Sequence, residues 1–343
     1  MRMSRRAGLL FLRKKEISYY GTVTALQTSR SQLAGASVGS YALFAGGNSK
    51  TDAVDAYSVS IVHSTPTALS AARYGLAGAS SANHAFFAGG YASSVLTTVD
   101  VYSATLVHAT PSDALPATAS SLAGATSGNR AFFAGGVQGS NRRTNVTAYD
   151  DNLVQTISGT NTALSVGRYL LGGATAGDFA VFAGGYSSGA SNAVDAYSSD
   201  FVRSTPTTLS NARCQMGAAS VGEHALFAGG NTTSSTGGTA YATTDAYDSN
   251  LVHTSPNGLS VARYRLAGAG DNDFAVFAGG AGSGQNYRTE ADAYDADLVV
   301  SSVTALSEAR CQLAGATVGP YLLFAGGEKS GGRSAVVEAY LVA

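Results

Sequence analysis

The chain of 343 residues has no tryptophan, two cysteines, three methionines, five histidines and six prolines, and only 13% of its residues are charged. Each shortage excludes something. Two cysteines cannot staple a disulfide-built fold. Cys214 and Cys311 also sit at equivalent places in non-adjacent copies of a repeat. A bridge needs Cα atoms about 4.4–6.8 Å apart, so free thiols are expected. The histidines are scattered: His63, His108 and His253 share one repeat position, and His84 and His224 share another. None pairs at metal-ligand spacing, so no metal and no other cofactor is expected. No stretch approaches the ~20 apolar residues of a membrane-spanning helix. The six-residue apolar run Ala7 to Leu12 is followed by Arg13-Lys14-Lys15. It falls short of the roughly 7–15 apolar residues of a secretory leader. The expectation is a cytoplasmic protein or one assembled into a virion or surface particle.

Charge is scarce but unevenly placed. Net charge is −1, yet Arg2, Arg5, Arg6, Arg13, Lys14 and Lys15 supply six of the 21 basic residues. Residues 17–343 hold 15 basic against 21 acidic residues, a net of −6. The body should not gather nucleic acid, and no specific nucleic-acid partner is expected. Residues 1–15 read as a basic arm with an apolar knot at Leu9, Leu10 and Phe11. A docking arm for a larger assembly and a tail packed on its own body are both open readings; a membrane-surface helix fits poorly because the run is short.

What the chain has in abundance is glycine, 42 residues, and repetition. Phe-Ala-Gly-Gly recurs seven times, starting at Phe44, Phe87, Phe133, Phe182, Phe227, Phe277 and Phe324, with a mean period of roughly 47 residues. A period of that size marks an array of supersecondary units that close into one body. One copy reads as four strands, a to d: Leu76 to Ser80, Ala85 to Ala88, Thr98 to Tyr102 and Thr105 to Ala109. Strand a is almost wholly Ala and Gly in every copy, a poor strand alone. It makes sense where seven strands crowd an axis. The paired glycines permit φ > 0 or close backbone approach. The phenylalanine before them should pack between units. Residues 16–26, ending Thr24-Ala25-Leu26, match the end of a copy (Thr67-Ala68-Leu69), and the last copy stops after its third strand. The N-terminal segment is therefore expected to supply the missing outer strand and close the ring.

The order Arg73, Phe87-Ala88-Gly89-Gly90, Asp100-Val101-Tyr102 resembles the kelch repeat, and the resemblance covers residues 16–343. It implies an all-β, seven-bladed kelch-like β-propeller and usually a binding role, without naming a ligand. The chain is similar to self-similar propellers of bacterial and bacteriophage proteins. One departure is the absent tryptophan, which kelch copies carry in the fourth strand; aliphatic pairs such as Ile61-Val62 and Leu251-Val252 are expected in its place.

Arginine precedes strand a at Arg30, Arg73, Arg168, Arg213, Arg263 and Arg310, and an acid lies in strand c at Asp55, Asp100, Asp195, Asp245, Asp292 and Glu338. Copy three has Ala119 and Thr147 at these places, so both partners are missing together. The pattern predicts buried ion pairs within copies, Arg73–Asp100, Arg213–Asp245 and Arg263–Asp292 among them; an anion-binding crown is the other reading. Loop length varies most between strands b and c, from eight residues (Gly47 to Asp55) to fifteen (Gly230 to Asp245). Those loops carry Tyr91, Arg142, Arg143, Tyr186, Tyr241, Tyr287 and Arg288. Tyr and Arg favour interfaces, and loops on rigid scaffolds bear function, so these seven are the candidate ligand-binding residues. Tolerance of insertions explains the variation equally well.

No catalytic residues are expected. A copper site of the galactose-oxidase kind, known on kelch propellers, needs a Cys, Tyr and His cluster that does not assemble here. No sialidase-type box occurs, and Asp271-Asn272-Asp273 is too short for a calcium loop. The expected function is non-catalytic recognition or adhesion, with the b–c loop face binding protein or glycan and the arm attaching the protein to a phage tail, virion or bacterial surface. An intracellular protein–protein scaffold, and an enzyme with a site at the channel mouth, are the alternatives.

Overall fold

The structure, a computed structural model, describes residues 14–48 and 51–343. The expectations for Arg2, Arg5, Arg6, Leu9, Leu10, Phe11 and Arg13 lie outside the described residues. The chain forms seven four-stranded antiparallel sheets arranged as the blades of a propeller, and no helix occurs among the described residues. Blade two is representative: Ala77–Ser80, His84–Ala88, Val99–Ser103 and His108–Ala109. Blade seven consists of Ala314–Val318, Tyr321–Ala325 and Val337–Val342, and its outer strand is Ile17–Val23 from the N-terminal side. Ring closure thus pairs the edge that the last copy leaves open. Among the described residues, no helix is long and apolar enough to cross a membrane.

The inner strands explain their own composition. A Cβ on Gly78 would sit 2.1 Å from the Gly35 carbonyl oxygen, and one on Gly35 would sit 2.2 Å from that of Gly315. Neighbouring inner strands touch almost backbone to backbone; six blades have glycine at this level and blade five has Ala218, so nothing larger than a methyl group stands there. Beyond this glycine level, hydroxyls bind across blades: Ser37 donates to the Thr317 carbonyl, Ser80 to that of Ser37 and Thr126 to that of Ser80, at 2.7, 2.6 and 2.9 Å. Phe87 packs in one cluster with Ala34, Ala36 and Leu43 of blade one, which places it between blades. Burying such a ring is worth about 1.5–3 kcal/mol.

The glycine pair turns strand b toward its neighbour. Gly89 and Gly90 have φ of 65° and 105°, and the Gly90 amide donates to the Ala119 carbonyl of the next copy at 2.8 Å. The same bond runs from Gly327 to Arg30 at 2.8 Å, across the closure.

The outer strand differs from expectation. It holds two residues in blade two rather than five. Leu106 (φ 61°) lies in the turn before it, and Val107 is 63% exposed. The Ile61-Val62 and Leu251-Val252 pairs do likewise: Ile61 and Leu251 turn inward at φ 58° and 61°, while Val62 and Val252 face solvent. These pairs therefore do not act as an outer-strand substitute for tryptophan. The tight turn rotates one aliphatic in and the next one out.

Candidate ligand-binding site

Each copy enters its inner strand through the same four steps: a buried arginine (Ala119 in copy three), one residue paired to the b–c loop, one residue at the channel mouth, then a leucine or methionine. The mouth residues are Gln32, Gly75, Ser121, Leu170, Gln215, Arg265 and Gln312, all at φ between 54° and 64°. Their backbones form a closed circle. Each amide donates to the carbonyl of the preceding blade's mouth residue at 2.7–3.0 Å, and Gln32 closes the circle on Gln312 at 2.9 Å. A left-handed conformation costs an ordinary residue roughly 1–2 kcal/mol. Here it is imposed in every blade because both backbone groups must point along the ring.

The circle rims a cavity of about 430 Å³, floored by Leu33, Leu76, Leu122, Leu171, Met216, Leu266 and Leu313. The wall is lopsided. On one side stand Gly75, Ser121, Leu170 and Tyr169; on the other stand Gln32, Gln215, Arg265 and Gln312. The polar side is internally bonded. Arg265 Nε donates to Gln215 Oε1 at 2.8 Å, Gln215 Nε2 to the Ser234 carbonyl at 2.7 Å, and Gln32 Nε2 to Gln312 Oε1 at 3.3 Å. Ser234 belongs to the longest b–c loop, which leans over the rim.

The candidate loop residues fall into three groups. Tyr91 and Tyr186 bridge to Tyr74 and Tyr169 of the mouth segment, with ring centroids 5.5 and 5.8 Å apart. They form two half-exposed aromatic clips on the same face as the cavity. Arg142 is exposed on the blade-three ribbon Val137–Gln138/Asn141–Arg142, and Arg143 donates to the Thr118 carbonyl at 3.2 Å. Arg288 stays within its own loop, facing Glu290 at 3.5 Å, whereas Tyr287 donates to Glu328 of the next blade's b–c loop at 3.2 Å and the Tyr241 carbonyl accepts from the Arg263 amide of the next copy at 3.0 Å. Of the seven, Tyr91, Tyr186 and Tyr287 pack against residues of the mouth segments, Tyr287 against Tyr264 and Cys311. Gln32, Ser121, Leu170, Gln215, Arg265, Gln312, Tyr74 and Tyr169 were not singled out from sequence. The available signal was a position of changing identity two residues after the near-invariant arginine and one before the leucine.

The arginines and acids meet in six blades. Arg30–Asp55, Arg73–Asp100, Arg168–Asp195, Arg213–Asp245, Arg263–Asp292 and Arg310–Glu338 lie 2.5–2.8 Å apart with both side chains buried. Each arginine also donates to the carbonyl of the Phe-Ala-Gly-Gly phenylalanine, as Arg73 does to Phe87 at 3.0 Å. His63, His108 and His253 each contact the acid of their own copy at 2.6–2.7 Å. In blade seven Tyr19 from the closing strand takes that place, donating to Glu338 at 3.1 Å. Burial pushes the Asp100 and Asp245 carboxyls up, but Arg73 or Arg213, the partner serine and histidine together hold them below the ordinary carboxylate range. Burial pushes both thiols, Cys214 and Cys311, up to about 12, and both are free.

At the opposite end of the blades, Lys14 and Lys15 of the basic arm bind Asp295 and Asp273 of blade six, each at 2.7 Å. The chain thus leaves the described body on the face away from the cavity. Among the described residues, no group of three or more His, Cys, Asp or Glu is arranged to hold a metal ion.

No protein-family model matches the chain, and no curated protein matches it. Among solved structures the chain is similar to a propeller described as "Structure of YjhT", with 13% identity, a TM-score of 0.65, and coverage of 82% of this chain and 99% of that one. At that identity the likeness shows the fold alone, and it agrees with the blades described above: the chain is a seven-bladed β-propeller.

Proposed function

We propose that the protein is a non-catalytic recognition module of kelch type, which binds a protein or glycan through the face carrying the b–c loops and the channel mouth. The observation that carries this reading is an internal contrast. Seven copies keep nearly the same residues wherever the scaffold is built, yet the seven mouth positions are Gln, Gly, Ser, Leu, Gln, Arg and Gln. A repeat that holds its framework and varies one ring is built as a scaffold for a specific surface. The clips Tyr74–Tyr91 and Tyr169–Tyr186 add amphipathic aromatic area on that face.

Chemistry at the mouth favours binding over turnover. The cavity lining has Arg265 and Tyr169 as its ionisable side chains and carries no histidine, carboxylate or thiol that could serve as a general base or nucleophile. The thiols are buried and pushed out of the nucleophilic range, and the three outer-strand histidines are each engaged by the buried carboxylate of their own blade. Attachment to a larger particle, such as a phage tail or bacterial surface, is the proposed role of the basic arm, supported by the exit of Lys14 and Lys15 on the far face.

The test is affinity purification from the native source with three proteins: the full chain, a chain lacking residues 1–15, and a full chain with Tyr91→Ala and Tyr186→Ala. Loss of particle proteins with the arm, and loss of a separate ligand with the tyrosines, is the expected result. Partners unchanged in all three would overturn the assignment of faces, and turnover of a co-purified small molecule would replace recognition with catalysis.

A further inference from the structure

Among the side chains lining the mouth cavity, Arg265 is the one basic residue, and none is acidic. The six arginines just outside the ring are neutralised by buried carboxylates at 2.5–2.8 Å. Arg265 is held instead by neutral groups: Gln215 Oε1 at 2.8 Å, the Tyr264 ring at 5.6 Å from its centroid, and the Cys311 thiol. A guanidinium at the edge of an apolar-floored cavity, without a carboxylate of its own, keeps its charge available for a ligand.

Its surroundings narrow the class of ligand. The Gln215–Ser234 chain fixes the guanidinium through Nε, and a planar fork of N–H donors matches a carboxylate. Gln312, whose Oε1 accepts from Gln32, contributes an amide N–H₂ on the same side of the rim. One cation suits a monoanion better than a phosphate dianion. The leucine floor suits a body with an apolar side, and about 430 Å³ limits it to a compact molecule. The remainder of the body carries an excess of acids, so anions are not collected at long range and recognition must occur by contact.

We propose that the channel mouth binds the carboxylate of a compact monocarboxylic acid, with Arg265 as the anion-binding residue, Gln215 as its positioning residue and the leucine ring under the apolar part of the ligand. This rests on the reading of the mouth face as the recognition surface and specifies what that face takes.

The experiment is ligand-observed NMR on the full chain, using matched pairs of acid and primary amide (N-acetyl-leucine with N-acetyl-leucinamide, benzoate with benzamide, and further pairs of similar size) and inorganic phosphate alone. The acids should bind at least about tenfold more tightly than their amides, the scale of one charge-assisted hydrogen bond. Arg265→Gln should abolish that preference, and Gln215→Ala should weaken it. Arg130→Gln, on the opposite end of blade three, should leave it unchanged. Thermal unfolding of each variant separates loss of binding from loss of fold. The proposal is overturned if acids and amides bind alike, if the preference survives Arg265→Gln, if phosphate competes as well as the acids, or if no acid binds at millimolar concentration. Amides that bind at the mouth without regard to Arg265 would sink the carboxylate while leaving the recognition face intact. If nothing in the set binds, the carboxylate assignment fails, and the native-source purification decides separately whether the face binds at all.

Discussion

Blades two and three have the same four strands and the same inner register, with Phe87 opposite Asp100 in one and Phe133 opposite Thr147 in the other. Blade two buries Arg73 between the Asp100 carboxylate and the Phe87 carbonyl, with His108 closing on the acid from the outer strand. Blade three has Ala119 and Thr147 there, and a cavity of only about 10 Å³ remains, with Arg143 leaning in from the b–c loop. A blade therefore folds without the ion pair. The comparison teaches that the pair is a replaceable unit whose two members depend on each other more than the sheet depends on either. That is the expected behaviour of buried charges, where desolvation nearly cancels attraction until one partner is removed.

The largest effect that would test this is Arg73→Ala. It leaves Asp100 buried and uncompensated, and should cost about 3–5 kcal/mol in chemical denaturation. Making blade two resemble blade three with Arg73→Ala and Asp100→Thr together should cost distinctly less than the single change. Additive losses in this double-mutant cycle would mean that the two side chains act independently.

The reverse graft sharpens the same point. Thr147→Asp alone should destabilise blade three, because it buries a carboxyl without the strand-a arginine, Arg143 reaching the cavity only from the b–c loop. Adding Ala119→Arg should recover most of that loss, since Phe133 offers its carbonyl as Phe87 does.

A smaller effect concerns pH. The Asp100 and Asp245 carboxyls lie below their ordinary value in the folded protein. Their contribution is therefore full above the unfolded pKa, about 4, and is lost as pH falls through the lower folded value. Melting temperature should drop as pH falls below about 4, and the double variant Arg73→Ala/Asp100→Thr should show a shallower acid limb. An unchanged limb would deny Asp100 a share in acid stability.

The smallest effect leaves the fold untouched. Cys214 and Cys311, buried with thiols pushed up to about 12, should resist alkylation at pH 8 and react fully only in denaturant. Rapid labelling of the native protein would show that the mouth segments open.

Much of this architecture was legible because the copies can be compared with one another. The glycine of the inner strand recurs in six copies because a Cβ at Gly35 or Gly78 would strike the neighbouring carbonyl, and copy five departs from it only to alanine, at Ala218. The joint absence of Arg and Asp in copy three pointed to their pairing, since local spacing within a copy holds them together. The outer strand was misread at Leu106-Val107 because a positive φ at Leu106, which places one side chain in and one out, leaves no mark in an aliphatic pair. The loop tyrosines share a residue type but not a setting: Tyr91 and Tyr186 pair with a tyrosine of their own copy's mouth segment, whereas Tyr287 also bonds Glu328 of the next blade, a contact that no spacing within one copy encodes.

The sequence by itself determined the number of blades, their strand order and the closing strand, because these depend on a short pattern repeated in register and on a last copy that lacks a strand. Only the tertiary structure decided what the mouth is. Gln32, Gln215, Arg265 and Gln312 occupy one repeat position whose identity changes from copy to copy, and one circle of hydrogen bonds brings them to a single rim. Which of them meet, and that Arg265 stands there without a carboxylate partner, follows from how far each blade is rotated around the axis, and that rotation is set by packing between blades.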